Sequence, residues 1–172
     1  MPEDKIQLYC GTGNGRSAAA IGHAVRYACE GKNVFMIRFL KGRAGLDTGF
    51  LKKLEPEIKI FSFDKFNACY NDLSSQEQEE ERLHFRNGLN FAKKVLLTDE
   101  CDVLILDEIL DLAAMGIAGK QEMLELMDAV GDDMIMIMTG SHRCEQLWPK
   151  ASRVTEVTTL KEAEKLPSKR FV

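Results

Sequence analysis

Cys10-Gly11-Thr12-Gly13-Asn14-Gly15-Arg16-Ser17 is the stretch whose reading decides the fold. Three glycines on alternate positions leave backbone N–H groups open to the close approach of an anion. The apolar run Ile6–Cys10 precedes it, and an alanine-rich segment of helical pattern, Arg16–Cys29, follows and stops at Gly31. Strand, glycine turn and helix start, in that order, gather unpaired N–H groups and the positive end of a helix dipole at one point. Arg16 can pair there with phosphate oxygens, and Ser17 can ligate Mg²⁺. The run departs from the strict pattern G-x-x-x-x-G-K-[ST], because Cys10 stands five before Gly15 and Arg16 replaces the lysine. Alone it fits a dinucleotide turn or a plain tight turn equally well.

A second element narrows the choice. Asp102-Val103-Leu104-Ile105-Leu106-Asp107-Glu108 is an apolar strand that ends in two carboxylates. At the C-terminal end of a central strand, Asp107 or Glu108 can hold Mg²⁺ directly or through water. The bland alternative is a pair of acids that stabilises the start of a helix. Loop and acidic strand together favour a phosphate-binding site over either half alone.

Working outward, Val34–Phe39, Val103–Leu106 and Met134–Met138 are short and continuously apolar, as strands buried on both faces are. Glu57–Phe63 and Arg153–Val157 are weaker strand patterns, placed nearer the sheet edges. Helical segments alternate with them: Ser75–Leu97, with Ser75 and Gln78 spaced as a capping box and Leu83 on its apolar side, and Lys120–Val130, whose methionines read as core. The alternation predicts a three-layer α/β fold of P-loop NTPase-like (RecA-like) type, a mostly parallel sheet flanked by helices. At 172 residues the chain is expected to form a single domain, 1–172, with a mobile charged tail over 161–172.

Composition removes several classes of function. A net charge of -4 argues against a general nucleic-acid binder. Five scattered cysteines without a C-x-x-C pair lack the spacing of structural zinc or iron–sulfur sites. The N-terminal residues have no signal-peptide pattern, and no apolar run approaches the ~20 residues of a membrane span, so a cytoplasmic protein without membrane contact is expected.

Taken in order, these residues resemble the ATP:corrinoid adenosyltransferases, the cob(I)alamin adenosyltransferases of P-loop type. The likeness runs from Gly11–Ser17 through Gly22, Ala24 and Arg26, Gly31-Lys32-Asn33-Val34 and Phe39-Leu40-Lys41-Gly42. It continues with Leu106-Asp107-Glu108, Thr139-Gly140 and Val154-Thr155-Glu156-Val157. The resemblance implies transfer of the 5′-deoxyadenosyl group of ATP to the Co(I) centre of a corrinoid, with release of triphosphate. It implies ATP, Mg²⁺ and a corrinoid as reaction partners, together with a homodimer and a reductase that supplies Co(I). Gly11, Thr12, Gly13, Asn14, Gly15, Arg16, Ser17, Ala18, Arg26 and Lys41 would then bind nucleotide, and Ser17, Asp107 and Glu108 the metal. Arg16 would act in catalysis. So would Phe66, with Tyr70 the second choice, as the aromatic wedge that displaces the lower ligand of cobalt.

Four departures accompany the likeness. Asn14 and Arg16 stand where the family loop has lysines, Arg38 where it has glutamine, and Ser141 where arginine follows Thr139-Gly140. A C-terminal glycine-containing signature is missing from Lys161–Val172. They keep open a second reading, a non-catalytic relative that holds nucleotide or corrinoid. A third, an unrelated P-loop phosphotransferase or ATPase, fits the loop and acidic strand alone.

Overall fold

Strand parity sets the layers. The computed structural model describes residues 5–40, 52–66 and 68–162, and contains strands β1 (Ile6–Cys10), β2 (Val34–Arg38), β3 (Ile58–Ser62), β4 (Val103–Asp107), β5 (Ile135–Thr139) and β6 (Arg153–Glu156). They form one sheet in the order β3-β2-β4-β5-β1-β6, and every described pairing is parallel. The two weakly patterned segments, β3 and β6, are indeed the edges. Apart from Gln7 and the polar residues that end β2, β4 and β5, the central strands are apolar, because alternate side chains enter different cores.

Tyr9, Val34, Met36, Val103, Ile105 and Ile137 pack on one face with Ala20, Ala24 and Tyr27 of helix α1 (Arg16–Cys29). Ala20 and Ala24 are four residues apart, and their small side chains let the helix lie close to the sheet. Leu8, Cys10, Phe35, Ile37, Leu104, Leu106, Met136 and Met138 face the other way. They meet helices α2 (Ser75–Thr98), α3 (Ile109–Ala114) and α4 (Lys120–Asp128). The result is the three-layer α/β architecture read from the sequence.

Several local expectations are corrected. The capping box of α2 is one residue earlier: Ser74 accepts from the Glu77 amide, and the Glu77 carboxylate accepts from the Ser74 amide at 2.8 Å. Gln78 instead donates to the carbonyls of Tyr70 and Leu73. Leu83 is 59% exposed and no part of the apolar side. Helix α3, too short for its periodicity to show, went unforeseen. No helix among the described residues is long and apolar enough to cross a membrane.

Candidate functional site

Arg38, Asp107 and Thr139 are the last residues of β2, β4 and β5. Each has the parity of its strand's α1-facing residues, so the three side chains stand together at the carboxyl edge, under the start of α1. Asp107 is the hub, with only 2% of its side chain exposed. Its Oδ1 accepts from the Ser17 hydroxyl at 2.7 Å and from the Thr139 hydroxyl at 2.8 Å. Its Oδ2 faces Arg38 Nε at 3.4 Å, and the Arg38 side chain is 3% exposed. Thr139 also accepts the Glu108 amide at 2.9 Å.

The loop from Gly11 to Gly15 connects β1 to α1. Gly11 has a φ of 105°, and a Cβ on it would lie 2.6 Å from the Val157 carbonyl oxygen. Gly13 donates its amide to that same oxygen at 2.9 Å. The glycines therefore serve a packing need as well as leaving room for an anion: residues 157 and 158 lie against the loop. Arg16 folds back into it, donating from Nη1 to the carbonyls of Gly11 and Gly13 at 2.5 and 2.6 Å. Its Nη2 meets Glu108 Oε1 at 3.3 Å, and its Nε is buried without a hydrogen-bond partner.

Glu108 sits in the left-handed region (φ 63°) at the turn into α3, which swings its carboxyl towards both Arg16 and Asp111. Burial pushes its pKa up to about 8, aided by the hydrogen bond with Asp111 and by that residue's charge; Arg16 opposes the shift. Burial alone would also raise Asp111, but hydrogen bonds from Glu108, Ser141 and His142 outweigh it and hold Asp111 at about 2. The proton of the pair therefore resides on Glu108. Ser141 donates its amide to Asp111 at 2.9 Å, and His142 Nδ1 lies 2.6 Å from Asp111 Oδ1.

The two carboxylates do not fit a divalent cation held directly by protein, because each already faces an arginine. Ser17 and Asp107 are brought together by a hydrogen bond that Ser17 donates, which leaves the Ser17 oxygen its lone pairs. The second oxygen of Asp107 already faces the buried Arg38 guanidinium, and Glu108 is paired with Arg16.

On the opposite side of Asp111 lies a cavity of about 180 Å³, lined by Leu40, Phe66, Tyr70, Phe85, Asp111 and His142 among others. Phe66 is half-buried in its wall. The segment before it is anchored by Glu81 of α2, a buried carboxylate that accepts the Lys65 amide at 2.8 Å. Tyr70 packs on Phe85 and accepts from Arg82 Nε at 2.8 Å.

Thr12, Asn14 and Ala18 are exposed, and Gly15 caps α1. Asn14 donates to Glu162 at 3.0 Å. Arg26 is not brought to the loop: it lies in the last turn of α1, over the ring of Tyr27. Lys41, Asn67 and residues 163–172 of the tail lie outside the described residues. Sequence reading missed Arg38 and Thr139 as partners of Asp107, although strand parity identifies both once the strand ends are known. It also missed Asp111, whose only signal is its position three residues after Glu108.

A glycine loop after β1, an acid closing β4 and an all-parallel sheet define a P-loop NTPase-like protein. The same fold is found in the flagellar accessory protein FlaH from Methanocaldococcus jannaschii, at a TM-score of 0.58 and 16% identity over 95% of this chain and 74% of that one. The sequence pattern of the ATP:corrinoid adenosyltransferases BtuR/CobO/CobP matches residues 3–169, and the chain belongs to that family. The corrinoid adenosyltransferase of Escherichia coli (strain K12) is 25% identical over 158 residues, 92% of this chain and 78% of that protein. Corrinoid adenosyltransferase CobA of Salmonella typhimurium (strain LT2) is similar to the same extent. Membership places the chain among transferases whose substrates are ATP and a corrinoid.

Proposed function

We propose that this protein transfers the 5′-deoxyadenosyl group of ATP to a Co(I) corrinoid. The cobalt electron pair forms the Co–C5′ bond, and the C5′–O bond breaks. Triphosphate leaves with that bonding pair, and cobalt becomes formally Co(III). The cobalt is the nucleophile, so the protein's task is orientation and charge neutralisation. Arg16 and the amides at the start of α1 face the triphosphate. Phe66 shapes the cavity wall that receives the corrinoid face, with Glu81 fixing the backbone just before it.

The observation that carries the reading is Arg16. Its guanidinium is already held within the glycine loop, and its buried Nε–H has no partner among the described residues. A buried donor of that kind calls for an acceptor, and a phosphate oxygen arriving at the loop supplies one.

The test is anaerobic incubation of the purified chain with ATP and chemically reduced cob(I)alamin. Adenosylcobalamin and triphosphate formed in equal amounts above a protein-free control are the expected result. Arg16→Ala should then lower kcat/KM by about 10²–10³, the range for loss of one preorganised charge-stabilising donor. Corrinoid and ATP binding without any turnover would favour the non-catalytic reading, which the departures at Asn14, Arg16, Arg38, Ser141 and the C-terminal segment keep open. We further propose, from the resemblance, that the protein works as a cytoplasmic homodimer served by a separate reductase.

A further inference from the structure

The negative charge of Asp107 is compensated without a metal. Two acids, Asp107 and Glu108, close the site, and each already faces an arginine, Arg38 at 3.4 Å and Arg16 at 3.3 Å. All four side chains are buried or nearly so; Arg16, the most open, is 14% exposed. Arg38 and Asp107 are also direct partners in the register of β2 and β4, so the pairing follows from the sheet itself and not from a flexible loop. Arg38 Nη1 is buried without a partner among the described residues, which leaves donor capacity beside the carboxylate.

A polyphosphate arriving at a glycine loop next to an uncompensated carboxylate is repelled by it, and in a low-dielectric site the repulsion is strong. A bound dication relieves such repulsion by lying between the two. In this molecule the fixed guanidinium on β2 already does so from behind Asp107. Adding a dication would place two further positive charges beside Arg38, next to a carboxylate that is already paired.

We infer that Arg38 supplies the charge a divalent cation would otherwise bring, so that this chain binds a nucleoside triphosphate without a requirement for Mg²⁺. The inference rests on the nucleotide-binding reading above. It adds that Arg38, on a strand that does not carry the phosphate loop, determines the metal dependence of that binding. Arg38 acts through Asp107 and is a positioning residue for charge.

The experiment is titration calorimetry of the native chain with ATP, once with Mg²⁺ and once with excess EDTA. The expected result is a Kd in EDTA within about threefold of that in Mg²⁺, a difference below about 1 kcal/mol. Arg38→Gln keeps polarity but not charge, and it should weaken binding in EDTA by at least about tenfold while changing it little in Mg²⁺. Its thermal melting, followed alongside, reports whether it folds. ATP bound by the native chain only when Mg²⁺ is present overturns the inference and leaves the proposed function standing. A metal dependence that is equal in native and Arg38→Gln protein overturns the role of Arg38. Absence of ATP binding under both conditions overturns the nucleotide reading itself, and the inference with it. The native comparison decides the main point even if the variant fails to fold.

Discussion

The two halves of the site are built differently. On the loop side, the side-chain partners of Asp107 among the described residues come from strand ends or from the first turn of α1, and strand parity dictates which side chains meet. On the cavity side, Phe66 belongs to a segment without regular structure, held by contacts from α2 that are distant in sequence. The first half is rigid because the sheet is rigid. The second is positioned by a few anchors that can be removed one at a time. Nucleotide binding and corrinoid binding should therefore fail separately.

The largest separation is expected from Gly11→Ala. The new Cβ would meet the Val157 oxygen at 2.6 Å in a backbone conformation, φ 105°, that L residues rarely adopt. A loss of about 3 kcal/mol or more follows, seen as a fall in Tm of about 6–12 °C. ATP binding should be lost with it, while α2 and the cavity wall keep their packing. An unchanged Tm and unchanged ATP affinity would show that the loop does not need residues 157 and 158 against it.

Gly88→Ala is the matching break on the cavity side. Its Cβ would lie 2.7 Å from Phe39 Cε1 and 2.9 Å from Phe63, so the aromatic segment beside α2 must shift. Overpacking of this kind costs about 1–3 kcal/mol. Corrinoid binding, followed by the visible spectrum, should weaken while calorimetric ATP affinity stays within about twofold, a few tenths of a kcal/mol. Equal loss of both ligands would mean that the two halves are one mechanical unit.

The same contrast explains what the sequence disclosed. Ile6–Cys10 and Arg16–Cys29 were legible to the residue, because a buried strand, a glycine loop and a helix each leave a local pattern. The ends of β2 and β4 were off by one residue, since Phe39 is as apolar as the strand before it and Asp107 is polar yet still paired. Arg38 was visible as a departure but not as a partner of Asp107, because adjacency of β2 and β4 is a property of the strand order. Glu81 reads as one acid among many in Gln76–Arg82, and only its burial singles it out. Asp111 was hidden for the same reason: α3 is six residues long and its acid looks like surface.

Glu108 and Asp111 join the halves, since Glu108 faces Arg16 and Asp111 lines the cavity. Glu108 is raised from 4.5 to about 8, so the folded chain holds a proton that the unfolded chain releases. Its contribution to stability is complete below about 4.5, erodes as pH rises and is lost through about 8. Asp111 has the opposite sign; its contribution disappears only as pH falls towards about 2 and does not enter this window. Glu108→Gln cannot ionise. Its Tm relative to the native chain should climb between those two limits and then level off, by at least about 3 °C. A parallel pair of Tm curves would mean that Glu108 is ionised throughout.

The smallest effect is expected at Asn14, and it bears on what holds the end of the described chain against the loop. Asn14 donates to Glu162 at 3.0 Å, but both residues are exposed, and a surface contact of that kind is worth little. The competing tie is the buried Gly13 amide to the Val157 carbonyl at 2.9 Å, continued by the Val157 amide to the Cys10 carbonyl at 2.8 Å. If these backbone bonds hold residues 157 and 158, Asn14→Ala changes Tm by no more than about 1–2 °C, within the usual ±0.5 kcal/mol of surface substitutions. ATP affinity should likewise move by less than about twofold. A tenfold gain in affinity would show instead that the side-chain bond draws residues 158–162 across the phosphate site as a barrier. Asn14, where the family loop has lysine, would then restrain access to the site. The loop side would then owe its rigidity partly to a surface contact and not to the sheet alone.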